Sequence, residues 1–177
     1  EGVVVTHMGQ KFTLIDYNGF KYEALVIAID KRFDLCLLRV NTVLIRHPVL
    51  KVAKKSPARG EVAYNMAAPH GIFSPRMVLT FDGYFSGYSR EGYALYTIPT
   101  KPGSSGSPIM NVNNELIGNI FAGYRSMENI GVASPLKAIK VFLRNSIAKA
   151  EMQVWKKMNN NEDKTDTIMI KMMQNLH

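Results

Sequence analysis

The chain changes its hydrophobic period once, near Pro135, and that switch limits what it can fold into. Ahead of it, short β-branched and apolar runs are cut at close intervals by Gly, Pro, Asn and Asp. Residues 2–6, 11–17, 21–29, 34–40, 61–66, 77–85, 93–98 and 130–133 read as strands. Asn18-Gly19, between the second and third of them, is a strong hairpin signal. Beyond Pro135, Leu136, Ile139, Phe142, Leu143 and Ile147 fall at helical spacing, behind a proline that suits a helix start. Many short strands without alternating helices predict an all-β barrel or sandwich carrying one C-terminal helix.

Pro102-Gly103-Ser104-Ser105-Gly106-Ser107-Pro108-Ile109 can neither continue a helix nor sit centrally in a strand. Read as a loop, it places the Ser105 hydroxyl between Gly103 and Gly106. A tight turn of this kind can aim successive backbone N–H groups at one point, as a developing oxyanion requires. Composition alone fits a Gly/Ser surface loop as well, so the flanks decide.

Those flanks, Thr100-Lys101 before the loop and Met110-Asn111 with Glu115-Leu116-Ile117-Gly118-Asn119-Ile120 after it, resemble the nucleophile region of trypsin-like serine proteases. The look is nearest to HtrA/Deg-type protease domains and to viral proteases of the same fold. A second block, Asp34-Leu35-Cys36-Leu37-Leu38, resembles that family's Asp-apolar-Ala-apolar-Leu motif with Cys36 in the alanine place. It follows Gly19-Phe20-Lys21-Tyr22-Glu23-Ala24, similar to the hairpin that precedes the acid in HtrA domains. The resemblance implies two six-stranded antiparallel β-barrels with a C-terminal helix, residues 1–150 forming the protease domain and 151–177 a polar, partly helical or disordered tail.

It also implies a serine endopeptidase working through a Ser/His/Asp triad and an acyl-enzyme. Ser105 would be the nucleophile and Asp34 the carboxylate that orients the imidazole. Independently of the resemblance, a carboxylate at the lip of an apolar strand is costly unless hydrogen-bonded. His7 is the histidine ahead of Asp34, but it follows Thr6 directly where the family has two intervening residues. Three sources for the base stay open: His7 in a compressed motif, a histidine upstream of Glu1, or a base that has been lost. By the same resemblance Gly103 and Ser105 N–H would hold the oxyanion, with Ser104 N–H nearby. Pro99, Thr100, Ile120, Phe121, Ala122 and Gly123 would line a small apolar pocket for aliphatic side chains. Two other readings compete: a catalytically inactive protease-fold module binding peptide or RNA, and a viral polyprotein-processing protease.

Composition narrows the rest. A single cysteine, Cys36, forbids an internal disulfide, which sets the bridge-bearing secreted proteases aside as models. Lys and Arg outnumber Asp and Glu by 22 to 14, a surplus compatible with RNA or another anionic surface as well as with simple solubility. No apolar run is long enough to span a bilayer. Histidine and cysteine show no metal-ligand spacing and no phosphate-cradling glycine loop occurs, so neither metal nor cofactor is expected. The chain opens at Glu1 rather than Met, the look of a piece of something longer.

Overall fold

The structure, a computed structural model, describes residues 5–40, 49–124 and 126–160. Strands β1 (Lys11–Ile15), β2 (Lys21–Asp30) and β3 (Leu35–Val40) form a three-stranded antiparallel sheet in that order. The hairpin anticipated at Asn18-Gly19 is present, with Ile15 facing Lys21. Asp16 closes it: its carboxylate Oδ1 accepts the N–H groups of Asn18 and Phe20, both at 2.9 Å. A carboxylate bonding the backbone two residues on is the ordinary chemistry of such turns.

The second half is a barrel. Strands β5 (Val62–Ala67), β6 (Leu79–Tyr88), β7 (Ala94–Tyr96), β8 (Pro108–Met110), β9 (Glu115–Tyr124) and β10 (Met127–Pro135) close into a ring. The order is β5-β6-β7-β10-β9-β8 and back to β5, with the β9–β10 pairing completing it and leaving no open edge. The two-residue strand β4 (Lys51–Val52), unmarked in the sequence, lies parallel against the start of β9. Tyr96, Ile98, Ile109, Ile117 and Ile120 fill the barrel and are fully or almost fully buried. The Tyr96 hydroxyl donates to Ile117 O at 3.3 Å, and burial pushes its phenol well above the ordinary value.

Of the two barrels expected, one is shown, and a second is not shown among the described residues. Among the described residues one six-stranded barrel is closed, and the N-terminal half is the three-stranded sheet. Among the described residues that half has β1 to β3, and β4 pairs with the other sheet. The strand anticipated at residues 2–6 falls largely outside the described residues, and Val5 and Thr6 are not strand.

Helix α1 (Leu136–Asn160) locks the two sheets together. Ile139 and Phe142 are buried with Leu35 of β3, and Ala28, Phe33, Leu116 and Leu143 pack around them. The stripe ends there: Ile147, in register with it, is 47% exposed. The helix runs through the boundary drawn at residue 150 and on to Asn160. The polar residues 161–164, the Met-rich end, His47, Arg125 and His177 lie outside the described residues.

Candidate active site

The turn between β7 and β8 rests on bonds that fix its peptide planes. Ser104 N–H donates to Lys101 O at 2.9 Å, and Gly106 N–H to Ile120 O at 2.7 Å. Ser107 N–H and Ser107 Oγ both donate to Ser104 O, at 3.2 and 2.6 Å. His70 N–H donates to Pro102 O at 2.6 Å. A trans peptide is planar, with its C=O and N–H pointing to opposite sides. Holding the carbonyls of Pro102 and Ser104 therefore turns the N–H groups of Gly103 and Ser105 the other way. Neither of those N–H groups has a partner among the described residues, whereas Ser104 N–H is already engaged and sets itself apart from them.

Gly103 is required at its position. Its φ is +94°, and a Cβ built there would lie 2.7 Å from Ala68 O and 3.0 Å from His70 N. The loop thus presses directly on a 3₁₀ turn, Pro69–Gly71, in which His70 itself has a left-handed φ of +54°. His70 is brought to the loop through its backbone, and its side chain is exposed.

Ser105 is exposed, and its Oγ donates to Phe121 O at 3.1 Å. Beside it opens a cleft of about 350 Å³ lined by Thr100, Lys101, Pro102, Ser105, Ala122, Gly123 and Tyr124. Of the six residues expected as pocket walls, Thr100, Ala122 and Gly123 lie there and the other three do not. Ile120 points into the barrel core with no exposed surface, because its place in β9 faces inward. Phe121 turns its ring onto Tyr93, at 5.2 Å between centroids. Pro99 is half-buried outside the lining. Thr100 forms the floor: Gly123 and Gly131 are partners across β9 and β10, and a Cβ on either would meet Thr100 within 3.4 Å.

Asp34 and His7 belong to the other sheet. Asp34 is exposed, with φ +50°, immediately ahead of β3. The turn before it docks on the barrel: Phe33 meets the Tyr93 ring edge-on at 6.1 Å, and Tyr93 OH donates to Arg32 O at 3.3 Å. Ser134 Oγ donates to Phe33 O at 2.6 Å. Phe33, Tyr93 and Phe121 thus link the Asp34 turn to the carbonyl that receives the Ser105 hydroxyl. His7 lies in an exposed turn, with Nδ1 2.9 Å from Thr6 Oγ1. Gly9 N–H donates to Val26 O and Val26 N–H to Gln10 O. The chain ahead of β1 therefore runs toward the end of β2 at Asp30, the end where Asp34 sits. No described hydrogen bond joins His7, Asp34 and Ser105 to one another.

A family model for the trypsin-like peptidase domain matches residues 1–118, a span that takes in His7, Asp34 and the Ser105 turn. The chain belongs to this family. Human serine protease HTRA4 is 26% identical over 160 residues, covering 81% of this chain; the chain spans about a third of that relative, 32%. Among solved structures, the serine endoprotease from Yersinia pestis superposes with a TM-score of 0.69 at 22% identity, over 80% of this chain and 50% of that one. An inactive mutant form of Rv3671c from M. tuberculosis H37Rv gives 0.59 at 16% identity, over 73% and 67%. At such identities the two structures speak for the fold alone.

Within this trypsin-like domain, sequence reasoning missed the inward-facing Asn65 of β5. It is 1% exposed, and its amide Nδ2 donates to Ser107 Oγ and to Pro108 O, both at 2.8 Å. The signal was available, since Ala63, Asn65 and Ala67 alternate on one face of a strand. The Phe33–Tyr93–Phe121 contacts had no such signal, because they join residues far apart in sequence.

Proposed function

We propose that this domain is a serine endopeptidase with Ser105 as its nucleophile. The observation that carries the reading is the pair of unpartnered N–H groups, Gly103 and Ser105, beside an exposed hydroxyl at the mouth of a cleft. Donors held in place before charge develops are the largest single source of stabilisation in acyl transfer. Here Ser105 Oγ attacks the peptide carbonyl while an imidazole takes its proton. The carbonyl oxygen becomes the oxyanion between the two N–H groups. Collapse breaks the C–N bond, the imidazolium protonates the departing amine, and water then hydrolyses the acyl-enzyme by the same steps.

Asp34 orients the imidazole and stabilises its charged form, and His7 is the base. Their common end of the β1–β3 sheet, and the docking of that end on Tyr93 beside Phe121, support this assignment. The Ser105 hydroxyl must leave Phe121 O to be activated, since a carbonyl oxygen cannot accept a proton outright. The residue ahead of the scissile bond enters the cleft over Thr100, whose position between Gly123 and Gly131 leaves shallow space and favours small aliphatic side chains.

The test is digestion of a mixture-based peptide library by the wild-type domain and by Ser105→Ala. Discrete cleavage after small aliphatic residues, lost in Ser105→Ala, is expected. Failure of the wild type to cleave, or cleavage retained in the variant, overturns the reading.

A further inference from the structure

Asn65 is an amide inside a barrel filled mainly by apolar side chains. It lies between Phe81 of β6 and Ile109 of β8 in register, is not part of the cleft lining, and its Oδ1 is buried without a partner. A buried polar atom left unbonded is a cost that folding alone would remove by an apolar residue. Its Nδ2, by contrast, is fully used, one hydrogen on Ser107 Oγ and one on Pro108 O.

The direction of those bonds matters. An amide N–H can only donate, so Ser107 Oγ accepts from Asn65 and keeps its own proton to donate. That proton goes to Ser104 O at 2.6 Å, the shortest side-chain bond in the loop. Ser104 O and Ser105 N–H are the two ends of one planar peptide. A second amide steadies the other flank: Asn119, in the orientation that satisfies its neighbours, donates to Gly106 O at 2.9 Å and to Ser107 O at 3.3 Å.

We infer that Asn65 and Ser107 are positioning residues, a two-step brace that holds the Ser104–Ser105 peptide with its N–H facing the cleft. The inference rests on the reading of Ser105 as the nucleophile and adds to it the polarity of the support. Ser107 pulls the carbonyl inward, and Asn65 dictates which way the Ser107 hydroxyl points. Neither side chain touches substrate. Their effect falls on the transition state, because the N–H they aim meets full charge only on the oxyanion.

Ser107→Ala deletes one oxygen and leaves Ser104 O held only by the longer Ser107 N–H bond at 3.2 Å. Asn65→Asp keeps the shape and reverses the bond: a carboxylate accepts, so the Ser107 hydroxyl turns to it and leaves Ser104 O. Both are expected to lower kcat on a small peptide ester by about 10²-fold, the effect of losing one oxyanion donor. KM should stay within roughly twofold. Ser107→Thr, which keeps the hydroxyl, is expected to restore most of the rate. A crystal structure of Ser107→Ala should show the Ser104–Ser105 peptide rotated, with its N–H out of the cleft. Should Asn65→Asp fail to fold, the two Ser107 variants carry the test. An unrotated peptide in Ser107→Ala overturns the inference, whatever the activity. So does a kcat equal to wild type, or a Ser107→Thr as slow as Ser107→Ala. A wild type that does not turn over at all fails the nucleophile reading instead, and the peptide orientation still decides the brace.

Discussion

Gly103→Ala and Gly106→Ala look alike in sequence and differ sharply in the structure. Both glycines have positive φ, +94° and +87°, so either alanine costs about 1–2 kcal/mol in backbone strain. At Gly106 that is the whole cost, since a Cβ there meets nothing within 4 Å. At Gly103 the new Cβ would stand 2.7 Å from Ala68 O and 3.0 Å from His70 N, both backbone atoms that no rotamer change can move aside. Crowding of this kind adds about 1–3 kcal/mol. The relief is to part the loop from the Pro69–Gly71 turn, which breaks the His70 N–H bond to Pro102 O and lets the Gly103 N–H lose its aim. Thermal unfolding followed by circular dichroism should place Gly103→Ala below Gly106→Ala by about 2–4 °C for each additional kcal/mol, for a domain of this size. The acylation rate with a fluorophosphonate should fall about 10²–10³-fold in Gly103→Ala. Equal Tm values for the two variants, or wild-type acylation in Gly103→Ala, would refute the reasoning.

Asp34→Asn is expected to lower kcat about 10⁴-fold through the wrong imidazole tautomer while leaving Tm near wild type, because the carboxylate is exposed. His7→Ala should be comparably slow on the same peptide ester, and turnover near wild type would remove His7 as the base. Thr100→Ala deepens the floor of the cleft, so the ratio of kcat/KM for Leu over Ala ahead of the scissile bond should rise about tenfold or more; an unchanged ratio would place the specificity elsewhere. Cys36 is exposed, and its thiol is pushed up by partial desolvation first and by the Asp34 charge second. A raised pKa means less thiolate at a given pH, so iodoacetamide at mild alkaline pH should modify Cys36 more slowly than an unstructured cysteine peptide, and Asp34→Asn should quicken it.

How much of this was legible depended on range. The nucleophile turn is local: Gly, Ser and Pro in a fixed order dictate its backbone, and the sequence reading of it needs neighbours only a few residues away. The strands β1, β2, β3, β5 and β6 and the start of α1 follow from period for the same reason. Barrel closure did not follow, because strand counting cannot say that β10 returns to β9 or that the described N-terminal strands pair as a three-stranded sheet. Ile120 was expected at the cleft since it follows the turn closely, yet its inward place in β9 buries it. Ile147 continues the helical stripe in sequence, but the surface it would cover ends near Leu143 and Ser146. Asn65 is the instructive miss. A polar residue at an inward strand position contradicts the local pattern, and such a contradiction marks the support of the candidate site.

The most direct measurement is mass spectrometry of the intact domain after reaction with a fluorophosphonate. One adduct per chain, mapped to Ser105 and absent in Ser105→Ala, is the result this account predicts. An unmodified wild-type chain, or an adduct on any other residue, would contradict it.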